Sequence, residues 1–412
     1  MEYYDHLETR APEIRERTLM EALPKQIEHA RRNAPYFRNL LQGVDPRAIS
    51  SRKALAQLPV TNKEDLTEIQ RRDPPFGGMV AVGYDQIARV FISPGPIHEI
   101  QGRRPDYGRF ARALFASGFR KGDLVYNTTS YHFTPGAFLM EDGALALGCA
   151  VFPAGPGQTE AQLAAIASLR PTAYLGTPSF LRILVEKARE TGADISSIVK
   201  AHVGGEAVPA SLRSELAGQG IRVTQGYGNA DLGLIAYETE ALEGMVLGEG
   251  IILELVRPGT GDPVAEGEVG EVVITTLAPE YPLIRFATGD LSAILPGPSP
   301  CGRTNTRIKG WMGRANQTTK VKGMFVHPNQ VAGVLKRHPE IIKGRLVIDQ
   351  DHSRQDRMTL HCEVAGSVSG DLAAAVAQTI REICKLRGET KFVPPGSLSN
   401  DGKVIEDIRK YD

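Results

Sequence analysis

Short apolar runs alternate with helical patterns between residues 107 and 190, and this alternation restricts the fold more than any other feature of the chain. Apolar residues recur at helical spacing in residues 107–119, 140–148, 160–171 and 178–190, and short apolar runs lie between them at 123–129, 149–154 and 172–176. Helices that return between short apolar strands are typical of a mostly parallel sheet covered by helices on both faces. We therefore predict an α/β protein with a doubly covered, mostly parallel sheet.

Three prolines carry the helix signals of the first forty residues. Pro12, followed by Glu13, suits the first turn of a helix, because proline fits that turn and an acidic side chain is stabilised at the positive end of the helix dipole. Pro24 would remove a backbone donor from a helix interior. We therefore expect one helix to end near Pro24 and a second helix to follow it and end before Pro35.

The segments that follow residue 245 have a different pattern. Residues 249–258 and 267–277 are rich in β-forming residues punctuated by Gly and Pro, which predicts a small antiparallel or barrel-like unit. Helical and strand patterns then alternate in the last hundred residues, at 328–338, 345–350, 358–364 and 371–388. The last of these helices places four apolar residues on one face, Leu372, Val376, Ile380 and Ile383. We predict a compact α+β domain there, with a boundary near residues 312–318.

Composition and charge exclude several classes of protein. The 412 residues balance 48 Lys and Arg against 48 Asp and Glu without a long basic block, and this argues against a nucleic-acid partner. No apolar run approaches the ~18 residues that span a bilayer. The first ten residues carry acids where a secretory signal needs a basic region, so we expect a cytoplasmic protein. The four cysteines are widely spaced and form no CxxC pair, which disfavours disulfides and a cysteine-based zinc site.

Two glycine-bearing stretches follow apolar runs and admit two interpretations each. Residues 92–98 contain Ser93 and Gly95, whose backbone N–H groups could face a phosphate. Two prolines remove donors from that stretch, and an ordinary turn is the favoured interpretation. Residues 203–207 contain Gly205 and Glu206 at a predicted strand end, where glycine permits close approach to a planar ligand. A plain turn explains this second stretch equally well.

Three further stretches contain residue types that suit nucleotide chemistry. Residues 225–233 place an aromatic ring beside glycines and an acid, a combination that could stack a base and hold a metal but is also common in loops. Asp290 could accept hydrogen bonds from the hydroxyls of a ribose, or it could simply cap a turn. Lys403 lies in a predicted flexible loop. Its charge could bind a phosphate oxygen, or it could be an ordinary solvated lysine without a role. Among the histidines, His132 is the one of interest, although a packed or capping role is favoured.

Taken in order, these segments resemble the phenylacetate–coenzyme A ligase family of the adenylate-forming superfamily. The similarity extends over nearly the whole chain and is carried by residues 27–41, 58–66, 127–162, 204–208, 227–233, 285–290, 301–331 and 402–408. Each motif is weak alone, and their shared order makes the resemblance specific. The resemblance implies a large N-terminal domain, 1–314, and a smaller mobile C-terminal domain, 315–412.

The resemblance implies an ATP-dependent acyl-CoA ligase for an aryl or arylacetic acid, with ATP/AMP, Mg²⁺ and coenzyme A as cofactors and co-substrates. Lys403 would bridge the carboxylate and the α-phosphate, Asp231 would hold Mg²⁺, and Gln317 would be the hinge. The residues implied for nucleotide binding are Ser93, Gly95, Gly205, Glu206, Tyr227, Gly228, Asn229, Asp290 and Arg314. The residues implied for the acyl group are Tyr131, Phe133, Gly136 and Ala137. A homodimer is compatible with the resemblance.

The sequence departs from the family pattern in four places. Of the hydroxyl-rich phosphate loop, residues 93–99 keep only Ser93 and Gly95. Asp231 stands where Glu is usual, and Gln317 stands where Asp is usual. The positions of a Cys/His zinc cluster found in some members are Thr239, Leu242, Ser299 and Cys301. We therefore predict no zinc.

Two alternatives to coenzyme A ligation stay open at this point. An adenylate-forming enzyme could pass the acyl group to an amine or a carrier protein. A nucleotide- or acyl-binding protein that has lost ATP turnover is the other alternative, and the altered phosphate loop motivates it. The presence of Lys403, Asp290 and Arg314 argues against that loss.

Overall fold

The computed structural model describes residues 2–315, 317, 319–321, 324–350, 356–366 and 370–409. Residues 316 and 318 of the predicted domain boundary lie outside these ranges. Among the helices within the ranges, none combines the length and the apolar character that a bilayer span requires.

The described part of the chain contains eleven α-helices. They are α1 (Pro12–Asn33), α2 (Pro35–Leu40), α3 (Arg52–Leu55), α4 (Leu66–Arg72), α5 (Ala111–Ala116), α6 (Gly136–Ala146), α7 (Thr159–Leu169), α8 (Pro178–Thr191), α9 (Ala210–Gly218), α10 (Pro328–Lys336) and α11 (Gly370–Cys384). Helix α8 shows how local sequence sets such bounds. The Thr177 hydroxyl accepts from the N–H of Phe180, Pro178 takes the first helical position, and Gly192 ends the helix in the left-handed conformation.

The strands of the described residues are β1 (Thr61–Asn62), β2 (Ile87–Ser93), β3 (Ile97–Gly102), β4 (Leu124–Asn127), β5 (Ala150–Pro153), β6 (Ala173–Gly176), β7 (Lys200–Val203), β8 (Arg222–Asn229), β9 (Gly233–Tyr237), β10 (Met245–Leu247), β11 (Ile251–Val256), β12 (Gly270–Thr276), β13 (Phe286–Ser292), β14 (Ile294–Leu295), β15 (Arg307–Ile308), β16 (Thr319–Val321), β17 (Met324–Val326), β18 (Ile341–Gln350), β19 (Asp356–Val364), β20 (Glu389–Val393) and β21 (Ile405–Asp407). Strands and helices alternate from α5 to α8, as the sequence predicts, whereas β8 to β17 succeed one another in the element order.

The central sheet has nine strands in the order β14-β15-β10-β9-β8-β7-β6-β4-β5. The five strands β5, β4, β6, β7 and β8 are parallel, and helices connect them. Strands β9, β10, β15 and β14 extend the sheet with antiparallel pairings. The predicted α/β class is confirmed. The parallel arrangement includes β4, β5 and β6 of the alternating pattern and extends beyond it to β7 and β8.

Alternate residues of the parallel strands enter two separate cores. Tyr126 and Tyr174 are fully buried in a cluster with side chains of α7, α8 and α9. Val125 and Leu175, their neighbours along the strands, belong to a cluster with side chains of α5 and α6. Because successive strand residues point to opposite faces, both faces of the sheet must be covered. The predicted double covering is therefore present.

The predicted break at Pro24 is wrong. Helix α1 continues through Pro24 to Asn33 before α2 begins at Pro35. A proline inside a helix removes one backbone hydrogen bond and costs roughly 3 kcal/mol. Leu23 and Ile27 flank Pro24 and are completely buried. Burial of two such side chains contributes an amount of similar size, so tertiary packing maintains the helix across the proline.

The two β-rich segments after residue 245 form β11 and β12, which confirms their predicted strand character. They belong to a four-stranded sheet in the order β1-β13-β12-β11. Strands β2 and β3 pair as a separate antiparallel hairpin. This hairpin carries the Ser93 and Gly95 stretch at its turn.

The chain packs as two compact units. The first unit comprises Met1–Leu253, Ile274–Phe286 and Ile294–Trp311, and the second comprises Glu254–Val273, Ala287–Ala293 and Met312–Asp412. The second unit contains a sheet in the order β20-β19-β18-β21, and α10 and α11 contribute to its core. The predicted apolar face of the last helix is confirmed, because Val376 and Ile380 are buried and Leu372 and Ile383 pack against them.

Candidate functional site

The carboxyl ends of the parallel strands β4, β6, β7 and β8 lie at one edge of the central sheet. Open α/β sheets bind their ligands outside this edge. Three segments of interest lie there: residues 127–137 begin at the end of β4, residues 204–206 follow β7, and residues 227–231 begin at the end of β8. The N–H of Gly204 donates to the carbonyl oxygen of Gly176 at 3.1 Å and joins two of these strand ends.

Asn127, the last residue of β4, organises the segment predicted to face the acyl group. Its side-chain amide donates to the Tyr131 hydroxyl at 2.9 Å and to the Ala137 carbonyl oxygen at 3.1 Å. The Tyr131 hydroxyl donates in turn to Glu141 Oε2 at 2.5 Å. Burial, together with this carboxylate, raises the pKa of Tyr131 above its ordinary value, so the phenol stays neutral. The structure thus brings Tyr131 and Ala137 into one network.

Phe133 and Gly136, the other two residues predicted for the acyl group, lie in the same segment. Phe133 has a positive φ of 65°, and its side chain is exposed. Its carbonyl oxygen accepts from the N–H of Ile92 at 3.0 Å, which joins the segment to the β2–β3 hairpin. Gly136 begins α6, where an added Cβ would lie 3.4 Å from the Thr129 methyl group. The ring of His132 contacts Phe133 edge-on, and both side chains are exposed.

The Ser93 and Gly95 stretch is the turn of the β2–β3 hairpin. The Ser93 N–H donates to Glu99 Oε2 at 3.2 Å, and the Ser93 hydroxyl donates to Glu99 Oε1. Pro94 and Pro96 have no N–H to offer. Both donors of Ser93 are therefore bonded within the hairpin, and a role of Ser93 and Gly95 toward phosphates stays a prediction.

A partly buried ion pair lies in the same unit. Asp231 follows β8, and its Oδ2 lies 2.5 Å from Lys63 Nζ. Glu99 is 1% exposed, and burial, followed by repulsion from Asp231, raises its pKa to about 7. Burial and the same two carboxyl groups raise the pKa of Tyr281. Two buried carboxyl groups thus lie near Lys63, and a further positive charge there would be stabilised.

The Asp231 carboxylate has the character of a magnesium ligand. Its Oδ1 atom is buried and has no hydrogen-bond partner among the described residues. Mg²⁺ is commonly held by one or two carboxylates and completes its shell with water and substrate phosphates. The described residues contain no group of three or more His, Cys, Asp or Glu side chains that could hold a metal. The donor set therefore fits Mg²⁺ shared with a nucleotide, and does not fit a closed protein cage.

Gly205 and Glu206 follow β7 as the sequence predicts. Gly205 has a φ of +79°, and a Cβ there would meet no atom within 4 Å, so the backbone faces open space. The Glu206 carboxylate accepts from the Ser179 hydroxyl at 2.9 Å and from the Ser179 N–H at 3.3 Å. The Glu206 carbonyl oxygen accepts from Gln225 Nε2 at 2.9 Å. These bonds connect β7 to the start of α8 and to β8, and they leave the face of Gly205 open.

Tyr227, Gly228 and Asn229 are the last residues of strand β8, and Asp231 follows shortly after them. Tyr227 is buried, and a Cβ on Gly228 would overlap the carbonyl oxygen of Gly233 in β9. The side chain of Asn229 accepts from the N–H of Leu232 at 2.9 Å, while its buried Nδ2 has no partner among the described residues. An unpaired buried amide is a donor that a ligand could satisfy. Adenine binding by these residues stays a prediction.

Asp290 and Arg314, both predicted for the ribose or phosphate, lie in the second unit and pair with each other. Asp290 Oδ1 accepts from Arg314 Nη1 at 2.8 Å, and the two residues also form a backbone bridge. Gly289 has a φ of +75°, and a Cβ there would clash with the Arg314 guanidinium at 2.6 Å. The absence of a side chain at Gly289 therefore permits this pairing.

Lys403 lies in the same unit, on the loop that precedes β21. Its Nζ lies 3.1 Å from Glu406 Oε1, and its side chain is half exposed. An open cavity of about 420 Å³ is lined by Arg314, Gln317 and Lys403 among other residues. The structure thus brings together three of the residues that the resemblance singles out in the second unit. Their roles stay predictions.

The positions of the zinc cluster found in some relatives hold a different set of groups. The Ser299 hydroxyl lies 3.0 Å from Cys301 Sγ. Burial raises the pKa of Cys301, but hydrogen bonds with Ser299 and Thr239 outweigh it and hold this pKa below its ordinary value. Leu242 is exposed. One thiol with two hydroxyls is not a zinc ligand set, so the residues present do not fit zinc.

Three residues that organise the first unit, Asn127, Lys63 and Glu99, are not among the residues predicted from the sequence. They lie inside the segments 127–162, 58–66 and 93–99, and the sequence alone gave none of them a role. The proximity of Lys63 and Glu99 to Asp231 depends on chain segments up to 168 residues apart. A polar residue that ends a buried strand, as Asn127 does, is the signal that could have identified that position.

The fold and the sheet-edge segments define an adenylate-forming α/β enzyme, and the family model described as AMP-binding enzyme matches residues 107–278. The phenylacetate-coenzyme A ligase of Thermus thermophilus is 32% identical, and the alignment covers 100% of both chains. The ligase of that name from Aromatoleum evansii is 31% identical over 84% of this chain and 80% of its own. The chain belongs to the phenylacetate–coenzyme A ligase family, and the predicted family is confirmed.

A solved structure supports the same fold. A 2-hydroxyisobutyryl-CoA ligase in an open conformation, in complex with 2-HIB-AMP and CoA, superposes with a TM-score of 0.72 at 25% identity. The match covers 95% of this chain and 90% of that chain. The similarity therefore extends through both units.

Proposed function

We propose that this protein is an ATP-dependent acyl-CoA ligase that activates an aryl or arylacetic carboxylate as an acyl-adenylate and passes the acyl group to coenzyme A. The main observation behind the proposal is that the segments predicted to bind the acyl group and the nucleotide lie at the same edge of the central sheet. The methyl group of Met140, in the helix that begins at Gly136, lies 3.4 Å from where Gly204 would carry a Cβ. Similarity over the full length to coenzyme A ligases supports the same activity.

The proposed reaction has two steps. A carboxylate oxygen attacks the α-phosphorus of ATP, and the bond from that phosphorus to pyrophosphate breaks. The thiolate of coenzyme A then attacks the acyl carbon, and AMP leaves. Both steps depend mainly on positioning the reactants and stabilising developing charge.

Residues of the first unit would bind the acid and the adenine. Tyr131, Phe133, Gly136 and Ala137 combine aromatic and small side chains, which suit a flat apolar acid. Because Tyr131 stays neutral, its ring presents no charge that would repel the carboxylate. The proposed adenine contacts are Gly205, Glu206, Tyr227, Gly228 and Asn229.

Asp231 would hold Mg²⁺, with its free Oδ1 as the ligand atom. Bound there, Mg²⁺ supplies positive charge to the phosphate oxygens of the nucleotide. Lys63 already neutralises part of the charge on Asp231.

Residues of the second unit would bind the sugar and the reacting phosphate. Asp290 would accept hydrogen bonds from the ribose hydroxyls, and Arg314 would contact the ribose or a phosphate. Lys403 would bridge the carboxylate and the α-phosphate, because a lysine on a moving domain can act in one step and withdraw in the next. The Lys403 side chain is half exposed, and its Nζ forms an ion pair with Glu406.

A second candidate function follows from the hairpin. Both donors of Ser93 are bonded to Glu99, and a carboxylate at this position repels phosphates. A nucleotide- or acyl-binding protein without ATP turnover would agree with that arrangement. Transfer of the acyl group to an amine or a carrier protein is the third alternative, and no contact described above favours it over coenzyme A.

Pyrophosphate release from Mg-ATP, with pooled aryl, arylacetic and short aliphatic acids, tests these functions. Release that depends on an acid and accelerates with coenzyme A supports the ligase, and deconvolution of the pool identifies the acid. Lys403→Ala should abolish turnover while nucleotide binding is retained, and the exposed Lys336→Ala in the same unit is the matched control. Acid-dependent pyrophosphate release that coenzyme A does not accelerate favours another acyl acceptor. No pyrophosphate release with any acid of the pool, while ATP or AMP still binds, favours the binding protein.

A further inference from the structure

Gln317 connects the predicted hinge to the backbone of the loop that carries Lys403. Its Nε2 donates to the carbonyl oxygen of Gly402 at 3.0 Å. Its Oε1 accepts from the N–H groups of Val404, at 2.5 Å, and Ile405, at 2.8 Å. One side chain thus bonds backbone groups on both sides of Lys403.

Hydrogen-bond chemistry fixes the orientation of this carboxamide. Two N–H groups converge on one terminal atom, which must therefore be the oxygen, and the other terminal atom faces a carbonyl oxygen and must therefore be the NH₂ group. The position requires a donor and an acceptor together. An ionised Asp or Glu offers acceptors only and would repel the Gly402 carbonyl oxygen.

The rest of the loop is held from other directions. The Lys403 N–H donates to Asp401 Oδ1 at 3.1 Å, and Arg345 also donates to that carboxylate. Arg345 Nη1 lies 3.1 Å from Glu406 Oε2, on the other side of Lys403. Unlike Asp401, Arg345 and Glu406, Gln317 lies in the segment that is predicted, from the family resemblance, to be the hinge.

We propose that Gln317 is a positioning residue for Lys403: its carboxamide joins the hinge to the lysine loop, so that the lysine is delivered in a fixed conformation. The inference rests on the proposed adenylation function of Lys403. As a positioning residue, Gln317 acts only through the loop and contacts neither the substrate nor the reacting atoms.

The test compares Gln317→Glu and Gln317→Met with Gln330→Glu in the adenylation half-reaction. Gln330 is a matched control, because its amide also donates to a carbonyl oxygen, that of Ile383, at 3.1 Å, and accepts from a backbone N–H, that of His327, at 2.9 Å. Both Gln317 variants should lose about 10-fold in kcat for acid-dependent pyrophosphate release, with KM for ATP and acid within about 2-fold of wild type. Gln330→Glu should retain kcat even if its melting temperature falls.

The pH profile separates positioning from general destabilisation. A protonated Glu has a donor and an acceptor, as Gln does, so the activity ratio of Gln317→Glu to wild type should rise about 2-fold as pH falls from 7 toward 5, near the ordinary Glu pKa of about 4.3. The ratio for Gln317→Met should stay flat. A flat Gln317→Glu ratio, or an equal kcat loss in Gln330→Glu, would overturn the proposal.

Hydrogen exchange distinguishes failure of this inference from failure of the proposed function. The Val404 and Ile405 amides should lose protection in Gln317→Met and keep it in Gln330→Glu, whether or not the wild type turns over ATP. Absence of acid-dependent turnover in the wild type refutes the proposed function, whereas unchanged exchange of both amides refutes the Gln317 contact itself.

Discussion

Glu99 is the residue at which stability and site chemistry conflict most clearly. It is buried on β3, accepts two hydrogen bonds from Ser93, and faces Asp231. A carboxyl group in such a place is held by its hydrogen bonds, while burial and the nearby carboxylate disfavour its charge. Departures of this kind from ordinary folding rules concentrate at functional positions.

The raised pKa of Glu99 predicts a specific pH dependence of stability. A carboxyl group whose pKa is higher in the folded than in the unfolded protein binds more protons when folded, so its contribution to stability is lost as pH rises. The window runs from the ordinary value of 4.5 to about 7. Relative to wild type, Glu99→Gln should gain about 2–3 kcal/mol in unfolding free energy between pH 5 and pH 8. Urea unfolding at both pH values measures the gain, and a difference independent of pH would contradict it.

At the scale of elements, the β8–β9 connection depends on glycine for packing. A Cβ on Gly228 would overlap the carbonyl oxygen of Gly233, and a Cβ on Gly233 would lie 2.8 Å from the carbonyl oxygen of Gly108. Such close contacts between backbones leave no room for a side chain. The sequence placed both glycines in a stretch that could bind a nucleotide or form a loop, and the structure shows that close backbone contacts require glycine at both positions.

Two glycine substitutions separate these roles. Gly228→Ala should destabilise the protein by more than about 3 kcal/mol, because the methyl group meets backbone that cannot move without loss of the β8–β9 register. Gly205→Ala should cost only about 1 kcal/mol, since its positive φ is strained but the space around it is open. Thermal unfolding of both variants measures the difference. Equal losses would show that local strain, and not strand packing, dominates at Gly228.

Helix and strand types were predictable wherever periodicity was strong. Strands β4, β5 and β6, helices α7 and α8 and the C-terminal helices lie where apolar spacing places them. Pro24 is the exception, because the local cost of proline was outweighed by the burial of Leu23 and Ile27, which periodicity alone does not quantify.

At the scale of the whole molecule, the proposed mechanism requires the C-terminal domain to change orientation. Ligand binding shifts such an equilibrium by its differential affinity for the two states. We expect tryptic cleavage after Arg314 to slow when an acyl-adenylate analogue saturates the protein. Cleavage after the exposed Arg72 at the end of α4 serves as the internal control. An unchanged rate at Arg314 under saturation would count against domain rotation.

The sequence by itself determined the fold class, the family and the order of the site segments. Short apolar runs and helical spacing are local properties, and they predict the type of each element and the buried face of each helix. Motifs in a shared order identified the family without any knowledge of contacts.

Only the tertiary structure decided which side chains meet. Lys63 pairs with Asp231 across 168 residues, Gln317 bonds the loop around Lys403, and Asp290 pairs with Arg314. Glu99 stands out only because Asp231 and the hairpin surround it. These pairings depend on strand register and chain topology, and local periodicity cannot encode them because it carries no information about segments distant along the chain.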